Sequence, residues 1–157
     1  MGQYQNYAGT LNDVQRVAKN LTLGGGGRLE NVQSSQVLDF IHDADSTINS
    51  ILSSCYQTPL VQITRDGETF FPHPISNIAR RIAASYLVQS VYSEVDQNVS
   101  ANAEKYGAQA IQELESLVYG VCKGDRSLPG QRAKSRVNFA NPNSLPREHM
   151  PSPRTTL

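Results

Sequence analysis

The sequence predicts an all-α protein: a small bundle of about four helices with one inserted β-hairpin and an extended C-terminal arm. Three observations carry that expectation. Residues 72–96 hold the longest stretch in which apolar residues recur at steps of three and four: Ile75, Ile78, Ala79, Ile82, Ala83, Tyr86, Leu87 and Val91, widened by Val88, Tyr92 and Val95. A stripe that wide needs cover on two sides, so this is the expected central helix. Asp66-Gly67, between two short alternating runs, is a hairpin signal in an otherwise helical chain. Beyond Cys122 the helical rhythm stops, and residues 122–157 hold five of the eight prolines.

Composition narrows the possibilities. The chain has 157 residues, of which 38 % are apolar, low for a compact globule, so part of it is expected outside the core of a single domain. No stretch approaches the roughly 18 apolar residues of a membrane span. MGQYQNYAGTLND has no basic region followed by an apolar run, so no signal peptide is expected. Cys55 and Cys122 are expected as reduced, small apolar residues at helix ends. The net charge of zero conceals a division. Residues 1–121 carry seven Lys or Arg against twelve Asp or Glu, giving −5, and residues 122–157 carry seven against two, giving +5.

In chain order, residues 1–9 are polar and form an N-terminal arm. Residues 10–121 form the helical domain. Thr10 and Asp13 have capping-box spacing and open a helix over about 11–20, with Leu11, Val14, Ala18 and Leu21 on one face. Four glycines, Gly24 to Gly27, end it. They lack the following Lys and Ser or Thr of a phosphate loop. Ser34 or Ser35 is expected to cap the next helix, whose stripe runs Val37, Leu38, Ile41, Ala44, Ile48, Ile51, Leu52 and Cys55. Asp39, Asp43 and Ser46 or Asn49 lie opposite, with His42 and Asp45 at the border. The acids are a solvated face rather than a metal site. After Tyr56 and Pro59 comes the hairpin, residues 61–71, with Arg65 and Glu68 facing each other beside the turn. His73 is expected at the surface. The last helix is expected over 101–121, with Ala103, Tyr106, Ala110, Leu114 and Leu117 inward. Residues 122–157 are the basic, proline-rich arm, with Phe139 its one aromatic.

The order of these elements resembles the head–tail connector, or adaptor, proteins of tailed bacteriophages. The likeness is carried by Ala44, Asp45, Ile48, Asn49, Leu52, Tyr56, Pro59 and Leu60, and by Ile78, Ala79, Ile82, Ala83, Tyr86 and Val88. It spans residues 10–120, and its motifs are structural. The resemblance implies a ring, usually of twelve copies, at the head–tail junction of the virion, made in the cytoplasm of a bacterial host. Its partners would be the portal protein and a tail or second adaptor (stopper) protein. DNA would pass through without specific binding, and no membrane is involved. An acidic body suits a conduit that should not grip its cargo.

The expected partner-binding residues are Arg126, Arg132, Lys134, Arg136 and Phe139 on the arm, with Phe139 the buried anchor and the arm running away from its own bundle. Arg65, Asp66, Gly67, Glu68, Phe70 and Phe71 of the hairpin are expected between subunits. The alternative is a small nucleic-acid-binding protein using the basic arm. An enzyme is not expected: no Ser/His/Asp or Cys/His arrangement has a usable spacing, and His42, His73 and His149 lie in unrelated settings. No cofactor or metal is expected either.

Overall fold

The structure, a computed structural model, describes residues 5–22, 26–122 and 128–134. Among these, α1 (Leu11–Leu21) leads through a short 3-10 helix (Gly26–Asn31) to α2 (Ser34–Leu52). The hairpin strands β1 (Ile63–Arg65) and β2 (Glu68–Phe70) follow, then α3 (His73–Tyr92) and α4 (Gln97–Cys122). A helix bundle with one antiparallel hairpin is the observed fold.

Local chemistry sets the helix boundaries. The capping box of α1 forms as its spacing predicts: Asp13 N–H donates to Thr10 Oγ1 at 3.3 Å, and Thr10 N–H donates back to the Asp13 carboxylate at 3.4 Å. α2 begins one residue earlier than a Ser cap would place it. Gln33 stands before the helix, and its N–H donates to Gln36 Oε1 at 3.3 Å, while Ser34 and Ser35 are already helical. α4 starts at Gln97 rather than Ala101, because Asp96 is a cap and not part of a loose connection. Its Oδ1 accepts from Asn98 N–H at 3.0 Å and Val99 N–H at 3.2 Å.

α3 is the element the others cover. Ten of its 20 residues are buried, and it packs on α1, α2 and α4. Against α4 the approach is close enough to demand small residues. A methyl group on Gly107 of α4 would lie 2.3 Å from Ser85 Oγ of α3, well inside van der Waals contact. Ser85 itself is buried but satisfied: its hydroxyl donates across the interface to Ala103 O at 2.7 Å and accepts from Gln89 Nε2 at 2.8 Å. Of the expected core, Ile41, Ile48, Leu52, Ile78, Ile82 and Leu114 are fully enclosed. Tyr86, Tyr106 and Leu117 are half-buried at its edge.

Residues 5–9 are not a loose arm. Tyr7 is 1 % exposed and Ala8 is fully buried. What holds them is Asp45, expected at the polar border of α2 and found 1 % exposed. Its carboxylate accepts three backbone N–H groups, from Gln5 at 3.1 Å, Asn6 at 2.7 Å and Tyr7 at 3.0 Å. Burial pushes the Asp45 carboxyl above its ordinary value, and the three donors pull it part of the way back. Tyr7 extends the latch. Its hydroxyl donates to Asn49 Oδ1 at 2.6 Å and accepts from Leu60 N–H at 2.9 Å, and its ring meets Phe71 edge-on with centroids 4.8 Å apart.

Two outcomes follow from this packing. Gly107→Ala should cost about 1–3 kcal/mol, read as a lower melting temperature, because two packed backbones must separate to admit the methyl. Burial pushes the Tyr7 phenol from 10.0 up to about 12. A group raised in this way lends stability that is complete below its unfolded value and is lost as pH rises from 10.0 towards about 12. Tyr7→Phe should remove that alkaline loss. It should also cost about 1–3 kcal/mol at neutral pH by orphaning the Leu60 N–H. Chemical denaturation at neutral and alkaline pH reads both.

Candidate docking surfaces

The hairpin forms around the turn its sequence dictates. Asp66 and Gly67 have φ of 54° and 83°, the left-handed pair of a two-residue hairpin turn. The register sets Arg65 opposite Glu68, Thr64 opposite Thr69 and Ile63 opposite Phe70. Arg65 Nε nevertheless lies 3.8 Å from the neighbouring Asp66 carboxylate, and both side chains are almost fully solvated, so the pair adds little stability. Residues 64–69 are exposed throughout, leaving Arg65, Asp66, Gly67 and Glu68 as a projecting tip.

The two phenylalanines at the hairpin base are anchors within the chain. Phe71 is 7 % exposed and packs on Tyr7, so it is a core residue and not a free contact for a neighbouring subunit. The chain turns into α3 there and carries the side chain under the N-terminal latch. Phe70 is half-buried and stacks on the exposed His73, ring centroids 5.3 Å apart.

The arm departs further from expectation. Residues 128–134 lie on their own bundle instead of running away from it. Tyr56 and Ala133 form an antiparallel bridge, in which Gln57 N–H donates to Arg132 O and Lys134 N–H donates to Cys55 O, both at 2.9 Å. The Gln131 side chain repeats the pattern beside it, accepting from Val61 N–H at 2.9 Å and donating to Val61 O at 2.7 Å. Leu128 is buried, and its N–H donates to the Tyr56 hydroxyl at 2.8 Å. Burial pushes the Tyr56 phenol up, and this bond opposes the shift. Gly130 lies against β1, where an added methyl would come within 3.0 Å of Ile63 Cγ1.

The anchor on this segment is therefore Leu128, with Arg132 and Lys134 as exposed side chains on a clip held by its backbone. Arg126, Arg136 and Phe139 lie outside the described residues. Sequence reasoning passed over Leu128, although it is the one large apolar residue in the ten that follow Cys122.

Cys55 is disulfide-bonded, correcting the expectation of a reduced thiol. The chain's one other cysteine is Cys122. Composition speaks to redox compartment and not to which helices meet, so the spacing of the two cysteines held no warning. Among the described residues, no group of three or more His, Cys, Asp or Glu could hold a metal ion, and no helix is long and apolar enough to cross a membrane. Asp39 and Asp43 are exposed, as a solvated face requires, while Asp45 serves the N-terminal latch.

The chain matches no protein-family model, and no curated protein or solved structure is significantly similar to it.

Because the clip covers the α2–β1 connection, Leu128→Ala should destabilise the protein by about 2 kcal/mol. The amides of Gln57 and Lys134 should then exchange with solvent many-fold faster, while the amides of α3 keep their protection relative to global stability. Hydrogen exchange resolved by residue separates the two groups.

Proposed function

We propose that this chain is a structural subunit of the head–tail junction of a tailed bacteriophage, assembling as a ring between portal and tail around the DNA path. The observation that carries it is the exposed hairpin tip, held at its base by Phe71 and the Gly130 contact, on a helical body; the element order on which the sequence resemblance rests supports the same reading. A two-stranded ribbon is marginal in water, so one kept rigid and bare supplies backbone and side-chain groups to a second surface. The acidic body, −5 over residues 1–121, suits a wall that phosphates slide past. Exposed Arg132 and Lys134 sit at the base of the same ribbon. With Arg126, Arg136 and Phe139 they would meet the portal protein or a second adaptor.

Reversing the tip, Arg65→Glu with Glu68→Arg, keeps opposite charges at the facing positions, gives up only the solvated Arg65–Asp66 pair, and changes what a partner meets. The monomer should stay within about 0.5 kcal/mol of wild type. Ring formation with portal, weighed by native mass measurement, should weaken. Full assembly by the reversed protein would remove the hairpin from the interface. A wild-type chain that stays monomeric beside portal overturns the ring, and retention on DNA cellulose at physiological salt would favour a nucleic-acid-binding protein instead.

A further inference from the structure

A cleft of about 660 Å³ opens between α1, the N-terminal half of α3 and the C-terminal half of α4. Three arginines from two helices line it: Arg16, Arg80 and Arg81. The body has only seven basic residues and a net charge of −5, so three in one cleft form a local reversal of its field. Their own chain leaves them partly used. Arg80 Nε donates to Ala8 O at 2.7 Å, and its Nη2 lies 3.8 Å from the Asp13 carboxylate. Arg81 pairs with Glu113, lies over the Tyr106 ring at 4.8 Å, and keeps a buried Nε–H with no acceptor among the described residues. Arg16 is 71 % exposed, and among the described residues its one ion pair is with Asp13, at 3.3 Å. Three guanidinium groups thus face two carboxylates, and a guanidinium has five donors to fill. Val17, Ile78 and Leu117 supply apolar wall between them.

A surface of opposite character lies on α2. Asp39 and Asp43 are exposed, stand one turn apart, and have no ion pair among the described residues. Like charges at that spacing repel, and a cation from outside relieves them. Phe40 lies between them, half-buried, lining shallow depressions shared with Asp39 on one side and Asp43 on the other. An aromatic ring flanked by two carboxylates has the chemistry that a cleft of arginines and aliphatic side chains takes.

We propose that the arginine cleft is a socket for the Asp39–Asp43 face of α2 of a second copy of this chain. Two unlike patches on one molecule make a head-to-tail contact, which repeats into a ring or a filament rather than stopping at a symmetric dimer. The socket deepens the ring reading above and rests on it for the closed form. It also names which helices meet.

Charge exchange tests the socket in the full-length chain. Arg16→Glu and Asp43→Arg alter exposed side chains and should leave the melting temperature close to wild type. Each alone should weaken self-association about tenfold or more by sedimentation equilibrium, and the two together should restore most of it. Added salt should weaken the wild-type contact. Unchanged association in either single variant, or no recovery in the double, overturns the socket even where rings form. A salt-sensitive open filament that still responds to the exchange keeps the socket and removes the closed ring. Wild type that stays monomeric at every concentration overturns the socket, whereas the ring falls only if the chain is also monomeric beside portal. If Arg16→Glu instead releases a bound oligonucleotide and leaves self-association alone, the cleft serves nucleic acid and the proposal fails.

Discussion

The contact between Ser85 and Gly107 is the constraint on which the bundle depends. With no side chain on Gly107, α4 approaches α3 until the Ser85 hydroxyl reaches the Ala103 carbonyl at 2.7 Å. That bond satisfies a polar group in the core, where an unpaired hydroxyl would cost free energy comparable to a lost hydrogen bond. Closing α4 onto one side of α3 leaves the other sides for α1 and α2, which is why α3 is buried so broadly while its neighbours are amphipathic. Further along the pair, towards the start of α3, Arg81, Tyr106, Glu113 and Leu117 replace the small residues, and there the cleft opens. Tight packing at one end and bulk at the other shape the surface as much as the core.

The connection from α2 to β1 shows how a loop can be buried without leaving backbone groups orphaned. Both termini of the described chain supply partners. Tyr7 reaches in from the N-terminal side to take the Leu60 N–H, and Tyr56 takes the Leu128 N–H from the C-terminal clip. Each phenol buries its ring and uses its oxygen, the two-sided character that makes tyrosine useful at such junctions. Asp45 does the same for residues 5–7 with one carboxylate, and its raised proton affinity shows that desolvation outweighs three donors.

How far the fold was legible depends on the kind of signal. Helical period and the Asp-Gly turn report on local geometry, so α1, α2, α3 and the hairpin follow from spacing alone. The latch joins segments about 40 residues apart through single side chains, the clip joins segments about 70 apart through one backbone bridge and one phenol, and nothing repeats to announce them. One sign was present: Asp45 falls between Ile41 and Ile48 on the apolar stripe of α2, where a carboxylate is out of place unless something neutral donates to it. Asp96 is hard to read from sequence because a cap and a breaker use the same residues. On the candidate surfaces the hairpin tip was legible from its turn. The arginine cleft was not, since its members come from positions 16, 80 and 81 and only folding brings them together.

Taken as a part for assembly, the body is shaped by what it leaves uncovered. The hairpin is short, and a ribbon of three residues a side would fray if its base were free. Here Phe71 is seated under Tyr7, Phe70 is stacked on His73, and Ile63 is covered by Gly130, so three separate segments fix the base while the tip stays bare. Were the ribbon to bind a partner, this prior ordering would remove that entropy cost from the binding step. The same contacts that hold residues 5–9 and 128–134 therefore brace the projection. A change at Asp45 or Leu128 would act on the hairpin by loosening its base rather than by altering its surface.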